Sequence, residues 1–290
     1  MRLFTTLELI YARSSLNFSP CFFFAVSSDL ASTIRRIDLE SDAVTTSFLI
    51  PGHVVDFHGS AKDPNLAYIA LHNVGGSIFM LMLSNGNMFN VGAMNTGPLG
   101  ALGRIRSLSS VDDSQVFVAI DNKPGLFSLV TSSNPIPTLR AGSVTVSGDV
   151  DGVGTASRFG IVKHLCRSPD LLYIYLTTWS PFKVLRYNTI TREMRTIAGL
   201  PLSQTPTIPV PIDGYPPKSA LAWPTTIVAS LDGLSLYVLE YYDALTNVRY
   251  DQAFLQRRVQ QWFELRHIAL SELHHKMLLN PTCMQMFPHF

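Results

Sequence analysis

Two closely spaced aspartates beside a glycine are the strongest candidates for chemistry in this sequence. They are Asp149 and Asp151, and Gly152 follows directly. Alternating carboxylates before a glycine are typical of calcium loops, but an EF-hand loop also needs a bidentate glutamate at its twelfth position. Counted from Asp149, that position is Gly160. We therefore interpret the segment as an Asp-Gly turn, in which we expect Gly152 to adopt a backbone conformation unfavourable for other residues.

Other residue types that could bind a metal or carry catalysis do not form a recognisable motif. His267, His274 and His275 lie near one another in sequence but without the HExxH pattern of zinc hydrolases. The remaining histidines of the repeats described below are isolated: His53, His58, His72 and His164. No serine stands in a GxSxG elbow, and the glycines after Asp151 lack the spacing of a dinucleotide loop. The sequence predicts no catalytic residue, no metal ligand and no cofactor.

Composition limits the classes of protein to which the chain can belong. Of its 290 residues 47% are apolar and 15% are charged, which is enough for a substantial core. The 22 basic and 21 acidic residues balance, so no bulk attraction to nucleic acid or membrane surfaces is expected. Three distant cysteines form no CxxC pair, and no apolar run is long enough to predict an integral membrane segment. The compartment stays open.

An internal repeat organises most of the chain. Five segments show an apolar strand, a gap, a second strand, and then a turn with a third strand, which is incomplete in the last segment. One aromatic residue of the first strand marks each segment: Phe23, Tyr68, Phe117, Tyr173 and Tyr237. The short runs are rich in Val, Ile, Leu, Tyr and Phe and are bounded by Gly, Pro, Asn and Asp, which indicates β-strands. The spacing is close to that of four-stranded propeller blades, and we expect residues 20–250 to be mostly β.

The stretch from residue 148 to 199 resembles one NHL repeat, the unit of a β-propeller blade. The residues that carry this resemblance are Asp151, Gly152, Gly154, Ala156, Phe159, Arg186, Thr196 and Gly199. A second match contains Asp213, Gly214, Ala220, Pro224, Asp232 and Gly233. The resemblance implies an all-β, NHL-type β-propeller over residues 1–250. About five blades are recognisable, and an incomplete six-bladed ring also fits.

The sequence departs from the family pattern at one position. The family usually has an aspartate after the first strand of the segment, whereas this chain has apolar residues such as Leu71, Ile120 and Leu176. Glu240 is the acidic exception. This departure weighs against an acidic ring or a metal at the centre of the propeller.

The C-terminal part has a different pattern. Residues 252–279 contain neither glycine nor proline, and their apolar positions follow helical spacing. Asp251 could cap such a helix, and Asn280-Pro281 would end it. We predict a helical tail over residues 251–290 that covers the unpaired edge of the last blade, because a free sheet edge promotes aggregation.

By analogy at the level of the fold, the sequence favours a non-enzymatic protein-interaction scaffold that uses the loop faces of the propeller. The alternative is a six-bladed-propeller hydrolase, lactonase or lyase with a metal in the central channel. RNA binding is less favoured, because the charge balance is neutral and no basic stripe is present. Its candidate residues would be Arg35, Arg104, Arg140 and Arg186. The expected partner is a protein; its identity and the oligomeric state stay open, as does whether the chain is a complete gene product.

Overall fold

The computed structural model describes twelve stretches of the chain. They are residues 4–6, 21–27, 31–38, 41, 43–72, 76–94, 102–131, 136–204, 211–214, 219–230, 232–242 and 262–269. Strands dominate these stretches, with two short 3₁₀ turns at Gly154–Ala156 and Leu202–Gln204. Within them, no helix has the length and hydropathy needed to cross a lipid bilayer.

The strands form five antiparallel sheets, each built from one continuous part of the chain. Each sheet is numbered as one blade, in chain order. Blade 1 comprises β1 (Phe4–Thr6), β2 (Cys21–Ser27), β3 (Ala31–Asp38) and β4 (Val44–Pro51), and blade 2 comprises β5 (Val54–Gly59), β6 (Leu66–Leu71), β7 (Ser77–Met82) and β8 (Met88–Ala93). Blade 3 comprises β9 (Ile105–Asp112), β10 (Gln115–Ile120), β11 (Gly125–Val130) and β12 (Thr138–Gly142). Blade 4 comprises β13 (Gly152–Val153), β14 (Ile161–Arg167), β15 (Tyr173–Trp179), β16 (Lys183–Asn188) and β17 (Glu193–Ala198). Blade 5 comprises β18 (Pro224–Ala229), β19 (Ser235–Tyr242) and β20 (Trp262–Ala269).

The first long strand of each of blades 2 to 5 lies innermost. Strands β5, β9, β14 and β18 contact one another in that order, while the later strands of each blade lie progressively further out. Sheets arranged in this way around a common axis form a β-propeller. The all-β propeller predicted from the sequence is therefore confirmed.

The hydrophobic core is divided into layers between successive blades. In β10, Val116 and Val118 pack against blade 2, whereas Phe117 and Ala119 pack against blade 4. A strand covered on both faces must be apolar at every position, which explains the uninterrupted apolar run from Val116 to Ile120. Each large side chain buried in this way stabilises the fold by roughly 1.5–3 kcal/mol.

The predicted repeat is correct in outline and needs one change of register. Phe23, Tyr68, Phe117 and Tyr237 all lie in the second strand of their blades. In blade 4 the residue at the equivalent pairing position is Tyr175 instead of Tyr173: it pairs with Cys166, as Phe117 pairs with Ser109. The same shift of two residues changes the residue of blade 4 at the position where the family has an aspartate. That residue is Thr178, not Leu176, and it is equivalent to Glu240 of blade 5. The innermost strands were not identified from the sequence.

The predicted C-terminal helix is wrong over Trp262–Ala269. These residues form β20, which pairs along its whole length with β19. Strand β19 is paired with β18 on its other side, so β20 satisfies the N–H and C=O groups that β19 would otherwise expose. The rest of the predicted tail, residues 251–261 and 270–290, lies outside the described residues.

The expected conformation of Gly152 is also corrected. Gly152 lies in β13, where it pairs with Met194, and its φ is outside the left-handed region. Pairing with β17 requires an extended backbone at this position. The chain turns two residues later, where Gly154 has a φ of +56°.

The turns between the two innermost strands of blades 4 and 5 share one hydrogen-bond pattern. A serine hydroxyl donates to an aspartate, which also accepts a backbone N–H from two residues further on. The next residue after the aspartate has a left-handed backbone in both turns. The equivalent residues are Ser168, Asp170 and Leu171 (φ +64°) in blade 4, and Ser230, Asp232 and Gly233 (φ +72°) in blade 5.

The first prediction concerns β20. We expect deletion of residues 262–290 to lower the melting temperature and cause aggregation, because it exposes the edge of β19. Deletion of residues 270–290 is the matched control, since it retains the strand. Size-exclusion chromatography and thermal unfolding compare the two proteins. If both remain monomeric with the same melting temperature, β20 does not protect the edge of β19.

The second prediction concerns Leu171. A left-handed backbone is strained by roughly 1–2 kcal/mol for residues other than glycine. We expect Leu171→Gly to be more stable than Leu171→Ala by about 1 kcal/mol, because both variants remove the same side chain but only glycine relieves the strain. Denaturant unfolding measures the difference. A more stable alanine variant would contradict the proposed turn conformation.

Candidate functional site

A β-bulge near the start of each inner strand determines which side chains reach the end of the propeller axis. The pairing register of blades 2 to 5 shifts at equivalent points, which inserts one extra residue. These residues are Val55, Arg106, Lys163 and Thr225. A bulge redirects the side chain of the extra residue. Arg106 is accordingly exposed and Lys163 half-buried, although the residues on either side of Arg106 are buried.

In blades 2 to 4, the residue after the bulge joins one blade to the next. Its polar side chain accepts the backbone N–H of a residue in the inner strand of the following blade. The three bonds run from Leu108 N to Asp56 Oδ2 (2.8 Å), from Leu165 N to Ser107 Oγ (3.0 Å) and from Ile227 N to His164 Nδ1 (3.4 Å). Because the donors and acceptors occupy equivalent positions, the inner strands run parallel around the axis, and their N-terminal ends meet at one face.

Arg167 closes the opposite end of the axis. Its guanidinium group donates to the carbonyl oxygens of Gly59 (2.7 Å), Ser110 (3.0 Å) and Ser60 (3.1 Å). One side chain of blade 4 therefore ties together the ends of the inner strands of blades 2 and 3. The contact is charge-assisted, which makes it stronger than hydrogen bonds between neutral groups.

Two histidines of the axis are held in the neutral state. Arg167 Nη1 lies 3.2 Å from His58 Nδ1, and Ser109 Oγ lies 3.3 Å from His58 Nε2. Burial, reinforced by the Arg167 charge, lowers the pKa of His58 from 6.5 to about 3. Burial also lowers the pKa of His164, which suits its role as an acceptor at Nδ1.

The two basic bulge residues, which we call the bulge cations, lie beside a group of aromatic side chains. This group is at the face where the N-terminal ends of the inner strands meet. We call Arg106, Lys163, Trp179, Phe182 and Trp223 the mouth cluster. Lys163 Nζ lies 3.8 Å from the centre of the Trp179 ring. Burial and the nearby Arg106 charge lower the pKa of Lys163, while Asp121 opposes them. Neither Arg106 nor Lys163 forms an ion pair with the part of the chain that the structure describes.

The aromatic part of the mouth cluster is held in a fixed arrangement. The Trp223 ring packs against Trp179 edge-on, with centroids 5.0 Å apart, and against Phe182 at 4.8 Å. Trp179 Nε1 donates to the Pro224 carbonyl at 2.9 Å. Trp223 has a φ of +49°, which is an outlier for so bulky a residue. All three rings are half-buried. Strained, partly exposed residues of this kind occur at binding sites more often than elsewhere.

The aspartates singled out from the sequence bind groups of the protein itself. Asp149 pairs with the buried Lys183 ammonium and accepts the Leu202 N–H at 2.6 Å. Asp151 accepts the backbone N–H and the hydroxyl of Thr196 at 2.8–3.0 Å. Across the described stretches, no three His, Cys, Asp or Glu residues are grouped as metal ligands would be.

The arginines considered for RNA binding are divided among several blades. Arg35 lies in β3 and Arg140 in β12, whose Nε donates to Ser128 Oγ at 2.7 Å. Arg104 precedes β9 and contacts His72 Nε2 at 2.9 Å, while Arg186 lies in β16. The mouth cluster was not predicted from the sequence. The signal was a basic residue at the same position near the start of two inner strands, which cannot be recognised until those strands are known.

Comparison with solved structures supports the fold. An auxiliary nutrient binding protein from Bacteroides thetaiotaomicron VPI-5482 is 13% identical with a TM-score of 0.56, and the match covers 74% of this chain and 53% of that one. A protein of the same description from Bacteroides ovatus ATCC 8483 is 16% identical with a TM-score of 0.56, covering 78% and 57%. The chain thus spans a little over half of the length of these proteins. No family model and no curated protein matches the sequence.

The third prediction concerns pH. His58 stays neutral in the fold but takes up a proton in the unfolded chain below pH 6.5, so its contribution to stability is lost as pH falls from 6.5 towards 3. Between pH 7 and pH 4.5, we expect the free energy of unfolding to fall by about 1 kcal/mol less in His58→Gln than in the unmodified protein, allowing for solvent screening. Denaturant unfolding at both pH values measures this. His72→Gln, at an exposed position, is the control, and equal losses in all three proteins would contradict the assignment.

Proposed function

We propose that this chain is an NHL-type propeller that acts as a non-enzymatic protein-interaction scaffold and holds an acidic segment of a partner protein at the mouth cluster. The observation that carries the proposal is the pair of bulge cations, Arg106 and Lys163, beside the half-buried rings of Trp179 and Trp223. Tryptophan and arginine are enriched among the residues that contribute most to protein–protein binding.

The charges of the mouth cluster indicate the chemistry of the partner. Burial first, and then the charge of Arg106, lowers the pKa of Lys163, so the two cations lie close enough to repel each other. A carboxylate placed between them would relieve that repulsion and replace the water lost on binding. The adjacent tryptophan rings offer a rigid apolar surface with little conformational entropy to lose. An acidic residue next to an apolar or aromatic one therefore fits this face.

The polar side chains of the inner strands already form hydrogen bonds within the protein. This supports a scaffold rather than the alternative, a metal-dependent hydrolase, lactonase or lyase. Both carboxylate oxygens of Asp56 accept backbone N–H groups, from Phe57 at 2.9 Å and from Leu108 at 2.8 Å. Ser107 and His164 are likewise engaged with the following blade. Recruiting these side chains as ligands would leave buried N–H groups unsatisfied, at about 1–3 kcal/mol each.

The fourth prediction tests the mouth cluster with a phage-displayed library of random dodecapeptides. We expect the enriched peptides to combine Asp or Glu with aromatic or apolar residues. Synthetic copies of these peptides should bind the double variant Arg106→Ala/Lys163→Ala at least about tenfold more weakly, equivalent to about 1.4 kcal/mol. Fluorescence anisotropy measures the affinities, which should also weaken with added salt.

Lys62→Ala/Arg195→Ala is the matched control, because it removes two exposed basic residues that do not belong to the mouth cluster. Its affinity for the peptides should equal that of the unmodified protein. Failure to enrich acidic peptides would contradict the proposed partner chemistry. Equal weakening in both double variants would show that net charge, rather than the mouth cluster, drives binding.

A further inference from the structure

A second candidate site lies between blades 4 and 5, among side chains that the mouth cluster does not include. A cavity of about 280 Å³ is lined by polar and aromatic residues of both blades: Ser168, Asp170, Tyr173, Tyr175, Arg186 and Asp232. Drug-sized ligands occupy pockets of roughly 300–1,000 Å³. The size of this cavity therefore fits a small metabolite.

Arg186 gives the cavity a fixed positive group. Its guanidinium lies over the Tyr173 ring, 4.7 Å from the centroid, which holds the side chain in one position. Among the described residues it has no hydrogen bond or ion pair. Arg195 lies directly opposite in the pairing of β16 and β17, and neighbouring like charges destabilise each other. A carboxylate bound to Arg186 would relieve this repulsion and match the planar guanidinium with two parallel hydrogen bonds.

The cavity also contains negative groups. Asp170 receives both of its hydrogen bonds at Oδ1, from the Ser168 hydroxyl and the Leu172 N–H, so Oδ2 has no partner in the described part of the chain. Asp232 lines the other side of the cavity. No ion pair joins Asp170 to Arg186, although both residues line the same cavity. Opposite charges held apart in this way complement a ligand that carries both signs.

Tyr175 adds a hydrogen-bond donor between these charges. Its side chain is almost fully buried and lies opposite Arg186 in the pairing of β15 and β16. Burial raises the pKa of Tyr175 to about 12 although Arg186 opposes the shift. The phenol therefore keeps its proton at neutral pH and is suited to donate to a ligand carboxylate.

We propose that this cavity binds a small zwitterion, a free amino acid, whose carboxylate pairs with Arg186 and whose ammonium group pairs with Asp170. Arg186 and Asp170 place one charge of each sign in the cavity, which matches a ligand without net charge. The site does not depend on the mouth cluster.

Isothermal titration calorimetry of the full chain tests the proposal. The probes are the twenty L-amino acids, with sodium acetate, methylammonium chloride, inorganic phosphate and glucose as comparisons. We expect at least one amino acid to bind with a Kd below about 1 mM, and each comparison compound to bind at least about tenfold more weakly. Absence of amino-acid binding up to about 10 mM, or equally tight binding of phosphate or acetate, overturns the proposal.

Two variants and a control assign the binding to the cavity. Arg186→Gln and Asp170→Asn should each reduce the affinity for the amino acid at least about tenfold, and Asp170→Asn preserves the Oδ1 acceptor that the turn requires. Lys62→Gln, in the corresponding turn of blade 2, should leave the affinity unchanged. Circular dichroism melting verifies that each variant is folded. Unchanged affinity in a folded Arg186→Gln protein overturns the proposal.

Discussion

The propeller depends on how the free edges of its inner strands are satisfied. Each inner strand is paired with its own blade on one side only, so alternate N–H groups face away from any sheet partner. In three successive steps a side chain of the preceding blade accepts such a group, as Asp56 does for Leu108. A bond of this kind contributes only about 0.5–1.5 kcal/mol, but a buried N–H left without it costs about 1–3 kcal/mol. The orientation of one blade relative to the next is therefore constrained at the axis.

This constraint determines where chemistry is available. Asp56, Ser107 and His164 of the inner strands are engaged in joining blades, and Arg167 donates to three carbonyl groups at the C-terminal ends of the inner strands. The bulges that place Asp56, Ser107 and His164 towards the next blade also direct Arg106 and Lys163 to the mouth. Groups that could meet a ligand therefore lie at the mouth and between blades, as Arg186 does, on sheets held rigid by their packing.

Local patterns predicted the strands that are apolar on both faces and did not predict those with mixed surroundings. The run Val116 to Ile120 is recognisable because both its faces are buried. Inner strands such as β9 alternate apolar residues with buried serines, and one of these, Ser107, accepts the Leu165 N–H of the next blade. The spacing of apolar residues around Trp262 is compatible with a helix. The segment forms a strand instead, because it pairs with the edge of β19. The local spacing of apolar residues carries no information about where the edge of a distant strand lies.

Short-range patterns in the sequence were sufficient to predict the all-β class and the repeat, because these depend on side-chain volume, polarity and backbone preference over a few neighbouring positions. The sequence also identified Asp149 and Asp151 as notable residues. The packing of the blades makes Asp149 the partner of Lys183 and Leu202, and Asp151 the partner of Thr196. The mouth cluster and the cavity beside Arg186 likewise combine residues of separate strands and blades. Hydrogen bonds and charge pairs between such distant residues form only when blades pack together, so no local pattern can specify them.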